Sequence, residues 1–166
     1  MPYPTIVLAT SLNTTSATNQ TIDRLYTCYL QLDKSQTVAN ATGRGTLTEA
    51  VPGATVAYLV AYDNVTSSGG TNNSTINASS IVLLDPVPAH TDFKVGSATS
   101  NPSAGITVVT EYSADGGSTW NYTPTSLAGG APAGFDRTVT HVRFTLTGSM
   151  VPAAAPGNNG FTVRIR

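Results

Sequence analysis

Apolar and polar residues along this chain alternate at the two-residue period of β-strands, in short runs separated by Gly, Pro, Asn and Ser. No window longer than about ten residues keeps an apolar stripe at helical spacing. The clearest run is residues 55–62. Val56, Tyr58, Val60 and Tyr62 share one face, and Ala57, Leu59 and Ala61 share the other. Both faces are apolar, which predicts a central strand covered on both sides. In residues 139–146 the inward positions are Val142, Phe144 and Leu146, and in residues 161–165 they are Phe161, Val163 and Ile165. Further strands are expected at residues 5–12, 25–32, 76–84 (ended by Asp85-Pro86) and 106–112, with a weaker one at 40–49. Residues 94–98 carry a lysine and read as an edge strand. Asp115-Gly116-Gly117 tolerates the positive φ of a hairpin turn, from which residues 118–122 return. Residues 11–21 read as a polar linker, and 64–73, 127–134 and 150–160 as loops.

This order predicts an all-β, immunoglobulin-like antiparallel β-sandwich with an N-terminal strand or arm. The arm and its linker occupy residues 1–22 and the sandwich 23–166. Of the 166 residues 40% are hydrophobic but only 10% are charged, against roughly 25% in an ordinary soluble domain. Ser, Thr and Asn must therefore solubilise the surface, a balance that suits an extracellular or cell-surface location. A net charge of −1 without a Lys/Arg cluster argues against nucleic acid and anionic membranes as partners. The apolar run Ile6-Val7-Leu8-Ala9 is too short for membrane insertion and for a signal-peptide core. The expectation is that a leader has been removed, or that the protein leaves the cell by another route, as a virion component would. The single cysteine, Cys28, excludes an intrachain disulfide.

No catalytic constellation is legible, and the chain is expected not to be an enzyme. His90 and His141 have no Cys, Asp or Glu at metal-ligand spacing, and no nucleophile elbow, P-loop or dinucleotide fingerprint is present. No cofactor and no metal are expected. Asp115 alone offers too few oxygens for calcium. An intramolecular amide cross-link, as occurs in some surface sandwiches, would need Lys34 or Lys94, with Asp85 as a candidate partner. Trp120 and Tyr112 read as cross-strand packing, with a sugar-stacking platform as the alternative. Glycosylation sequons begin at Asn13, Asn19, Asn40, Asn64, Asn72, Asn73, Asn77 and Asn121, whereas Asn101 is followed by Pro.

Four blocks in order carry a family resemblance. Val51-Pro52-Gly53-Ala54-Thr55-Val56-Ala57-Tyr58 resembles a Pro-Gly turn feeding an alternating strand. Ile81-Val82-Leu83-Leu84-Asp85-Pro86-Val87-Pro88 resembles a strand closed by Asp-Pro-x-Pro. Tyr112-Ser113-Ala114-Asp115-Gly116-Gly117-Ser118-Thr119-Trp120 resembles a hairpin, and Phe161-Thr162-Val163-Arg164-Ile165 a closing strand. Together they are similar to the DUF11 repeat domain of bacterial and archaeal surface proteins, over about residues 45–166. The resemblance implies an immunoglobulin-like sandwich, usually in tandem arrays, without catalytic residues or cofactor. This chain departs from it in holding one copy and in carrying an N-terminal extension.

A single copy builds something long only by association, which turns attention to the arm. Thr5, Ile6, Val7, Leu8, Ala9 and Leu12 form a short β-forming segment on a polar tether. Two fates are open: the segment folds back as the first strand of its own sheet, or it is donated to a neighbour's sandwich. Head-to-tail donation would propagate into a polymer. The leading expectation is thus a structural subunit of an extracellular filament, tube or surface layer, a homo-oligomer or polymer. The alternatives are a monomeric adhesive module that binds host or matrix glycans, and a virion decoration or tail protein.

Overall fold

The computed structural model describes residues 3–10, 18–25, 30–66, 76–152 and 154–166. Eleven strands follow in order: β1 (Tyr3–Thr10), β2 (Thr18–Leu25), β3 (Leu30–Ala39), β4 (Thr55–Asn64), β5 (Ala78–Pro86), β6 (Thr91–Lys94), β7 (Thr99–Asn101), β8 (Ile106–Ser113), β9 (Phe135–Asp136), β10 (His141–Met150) and β11 (Gly157–Ile165). One 3-10 turn spans Ala128–Gly130. The strands form a small sheet β5-β10-β8 and a broad sheet β3-β4-β11-β6-β9, with β7 also on β11. A third sheet is the hairpin β1-β2 by itself. All pairings are antiparallel.

The small and broad sheets face one another as a two-layer β-sandwich. From β10 the small sheet contributes Val142, Phe144, Leu146 and Met150, and from β5 Ile81 and Leu83. The broad sheet answers with Val56, Tyr62, Phe93, Phe161 and Val163. The inward positions expected for residues 142–146 and for Phe161 and Val163 are buried as the two-residue period requires. Phe93 holds Tyr112 and Phe161 at ring-centroid distances of 5.4 and 5.9 Å, which ties the two layers together. Two glycines make the packing geometry available. Gly148 sits at φ 109 where β10 bulges, and a Cβ there would lie 2.0 Å from the Gly105 carbonyl oxygen. At Gly157 a Cβ would lie 2.2 Å from the fully buried Tyr62 ring.

Two buried carboxylates fasten the end of the sandwich where β6 and β9 lie. Asp92 accepts from Arg137 Nε at 2.8 Å and has Arg166 and Arg164 at 3.8 and 3.9 Å. Asp136 accepts from the Tyr122 hydroxyl, the Thr125 N–H, and both the N–H and hydroxyl of Thr138. Burial alone would raise the Asp136 pKa, but these four donors outweigh it and hold it below the ordinary 3.8.

Several expectations are corrected. Residues 40–49 form a loop, because Gly43 and Gly45 adopt positive φ and the Asn40 amide donates to carbonyls within the loop. Strand β4 is central but covered on one face only: Ala57 and Leu59 are exposed. Residues 94–98 are mostly a turn. The strand there is β6, which lies inside the sheet between β11 and β9. Residues 118–122 return only as a single bridge, Tyr112 to Tyr122. The loop expected at 150–160 gives Met150 to β10 and Gly157 onward to β11. Residues 18–21, expected in a linker, belong to β2. Of the strand expected at 25–32, Leu25 ends β2 and Leu30 to Leu32 begin β3, and residues 26–29 lie outside the described residues. Cys28 and Leu12 lie outside the described residues.

Phe144→Ala is expected to cost about 3–5 kcal/mol in urea denaturation, whereas Val82→Ala, half exposed on the outer face, is expected to stay within about 0.5 kcal/mol. The lowered Asp136 pKa gives a stabilisation that is complete above the unfolded-state value of 3.8 and is lost as pH falls through the lower folded value. Asp136→Asn should therefore flatten the acid limb of a melting-temperature-versus-pH curve below about pH 4.

Candidate assembly surface

The two layers differ in width, and the difference leaves one side of the sandwich open. β3 is the outermost strand of the broad sheet. Its register sets Leu32, Lys34, Gln36 and Val38 opposite Tyr62, Val60, Tyr58 and Val56, on the face turned toward the small sheet. Val38 and Leu30 pack partly on the core, but Leu32 is 53% exposed. Nothing in the small sheet extends far enough to cover it. Across the gap runs β5, paired only with β10. Its Ile81, Leu83 and Asp85 turn inward, while Val82 and Leu84 remain 51% and 60% exposed. Between the two strands lies a groove of about 340 Å³, walled by Leu32, Val60, Val82, Leu83 and Leu84 and reaching the buried Phe144. Among the described residues, β3 and β5 each have one backbone edge without a strand partner.

One polar contact crosses this groove. Lys34 Nζ lies 2.6 Å from Asp85 Oδ1 and 4.8 Å from the centre of the Tyr58 ring. Asp85 is almost wholly buried, and its other oxygen has no hydrogen-bond partner. Burial of the Tyr58 phenol, with the Asp85 charge beside it, pushes its pKa above 10. Of the two lysines considered for an amide cross-link, the structure thus brings Lys34 to Asp85, while Lys94 lies on β6. Among the described residues lining the groove, Asp85 is the one carboxylate. The pair is an ion pair that joins the two edge strands.

The other residues singled out by sequence lie apart from this groove. Thr5, Ile6, Val7, Leu8 and Ala9 lie in β1, which pairs with β2 from Tyr3↔Leu25 to Thr10↔Thr18. The hairpin is hydrogen-bonded to neither sheet of the sandwich. His90 is exposed in a turn at φ 67, and His141 lies in β10 with its Nδ1 buried and unpartnered. Asp115 closes its own hairpin: its oxygens accept from the Ser113 hydroxyl, the N–H groups of Ser118 and Thr119, and the Thr119 hydroxyl. These donors, Ser113 first, hold its carboxyl far below the usual range. Trp120 has the Arg143 guanidinium 4.4 Å from its ring centre, and Arg143 in turn binds Glu111 at 2.9 Å. One face of the indole is therefore already taken. Among the described residues no three of His, Cys, Asp and Glu gather as a metal site, and no helix is long and apolar enough to cross a membrane.

The sequons divide by environment. Asn40 and Asn64 are buried, and each side-chain oxygen accepts from both the N–H and the hydroxyl of the Thr two residues on. Asp136-Arg137-Thr138 makes the same pair of bonds. At these positions the Asn-x-Thr pattern is turn chemistry. Asn77 and Asn121 are exposed. Asn19 lies in β2, and Asn13, Asn72 and Asn73 lie outside the described residues.

The groove residues Leu32, Val82 and Leu84 were not anticipated from the sequence. The available signal was the unbroken run Ile81-Val82-Leu83-Leu84, which puts apolar side chains on both faces of one strand. No family model, curated protein or solved structure matches this chain.

Replacing Lys34 by Met removes the close partner of a nearly buried carboxylate. It is expected to lower stability at pH 7 by about 1–3 kcal/mol in urea denaturation, with the double variant Lys34→Met/Asp85→Asn recovering part of the loss.

Proposed function

We propose that this chain is a structural subunit of an extracellular, non-enzymatic assembly, a filament, tube or surface layer, whose copies join through the N-terminal segment. The observation that carries this reading is that, among the described residues, one chain holds both an apolar groove between two strand edges without a strand partner and a two-stranded hairpin that pairs with neither sheet. An isolated hairpin is marginally stable in water, and natural sandwiches rarely leave long apolar edges unpaired. Each feature supplies what the other lacks. A contact between one copy's N-terminal segment and the next copy's groove is heterologous, so it propagates unless it closes into a ring. The surface composition agrees. With 10% charged residues, repulsion between copies is weak, and Ser, Thr and Asn hydrate the exterior. The resemblance of residues 45–166 to the DUF11 surface repeat supports an immunoglobulin-like type and a cell-surface setting.

The test is self-assembly of the purified full chain and of a variant lacking residues 1–12, followed by light scattering and negative-stain microscopy. Polymers are expected from the full chain and monomers from the deletion. Polymers that form equally well from the deletion would rule out joining through the N-terminal segment. A full chain that remains monomeric at high concentration would remove the subunit reading.

A further inference from the structure

We propose that the groove between β3 and β5 is the acceptor site for strand β1 of a second copy, which adds edge-on to β5 and lies over Leu32 and Val60. The proposal rests on the assembly reading above and names its interface.

Four observations select this occupant and this orientation. First, β1 and β5 match in length, at 8 and 9 residues. The unpaired edge of β5 offers its backbone groups up to Pro86, which has no N–H and ends the ladder. Second, the charges match. β1 (Tyr-Pro-Thr-Ile-Val-Leu-Ala-Thr) carries no charged residue, and the two charges in the groove, Lys34 and Asp85, already neutralise one another. β2 carries Asp23 and Arg24, so β1 suits the groove and β2 the outer position. Third, the addition completes the architecture. The small sheet becomes β2-β1-β5-β10-β8, five strands abreast, equal to the path β3-β4-β11-β6-β9 opposite it. Inward side chains of the added strand then cover Leu32 and Val60, and outward ones flank Val82 and Leu84 as cross-strand neighbours. Fourth, among the described residues β1 and β2 pair with one another and with no strand of the sandwich. They form a separate sheet, although only residues 26–29 separate them from β3. The strand is assigned to a second copy, and closure of a chain on its own groove is the outcome that the test separates from it.

Disulfide trapping between full-length chains tests the proposal, with Cys28→Ser in every variant to remove the native thiol. One chain carries Val82→Cys on β5. The other carries Ile6→Cys or Val7→Cys, which sample the two faces of β1. Mild oxidation of the mixture is expected to give a mixed disulfide dimer with one of the two β1 positions and not with the other. Adding Leu32→Asp to the Val82→Cys chain is expected to cut the dimer yield about tenfold or more, because covering Leu32 would then bury a charge. Its melting temperature should hardly change, since Leu32 is half exposed.

A chain carrying both cysteines that closes on itself at high dilution, with no mixed dimer, would show that the hairpin serves its own groove and would overturn the proposal. Polymers that form while neither β1 position links to position 82 would also overturn it, leaving the assembly reading intact with its interface elsewhere. Absence of both polymers and links would remove both.

Discussion

Burial of the β10 side chains Val142, Phe144, Leu146 and Met150 against Phe93, Phe161 and Val163 is the contact on which the rest of the molecule depends. Each of these side chains is worth roughly 1.5–3 kcal/mol when fully removed from water, and together they fix where the small sheet sits on the broad one. Because β10 is the middle of only three strands, the core centres there and the broad sheet overhangs. The overhang is β3. It is held in place by its ladder to β4 and by Lys34, and its inner face lacks a full cover. The open groove is thus a consequence of the core and not a local irregularity.

Polar groups organise the periphery by satisfying themselves locally. Asn40, Asn64 and Asp136 each hold a Thr two residues on, and Asp115 gathers four donors from its own turn. Asp92 binds arginine from the segment after β9 and lies near two more at the chain's end. This accounts for how a chain with so few charges uses them: several carboxylates stabilise loops and strand ends, leaving a weakly charged exterior. Low charge keeps electrostatic repulsion between surfaces weak.

The Lys34–Asp85 pair has a double position in this scheme. It joins the edge strands of the two sheets, and it neutralises the only charges in the groove. Asp85 is buried in this pair while the Lys34 side chain stays 44% exposed, and such a pair contributes little net stability compared with apolar packing. It does set the separation of β3 and β5, which decides whether a further strand fits between them. The contact that joins the two sheets at this edge therefore also shapes the groove.

The two-residue alternation in the sequence was sufficient for the all-β class, for most strands of the sandwich and for the inward residues Val142, Phe144, Leu146, Phe161 and Val163, because one strand's burial pattern is written in its own side chains. It also marked β1 as apolar and uncharged. It failed where local turn chemistry or a partner far along the chain decides the outcome. Residues 40–49 have strand-like composition, but Asn40 found nearer carbonyls. Leu59 looked buried because an uncharged exterior and a core read alike. Leu32 is left half exposed by the unequal widths of the two sheets, and Val82 and Leu84 by their place on the outer face of β5. Alternation shows which residues avoid water, but whether a second layer reaches them depends on strand order and sheet width, which long-range pairing alone decides.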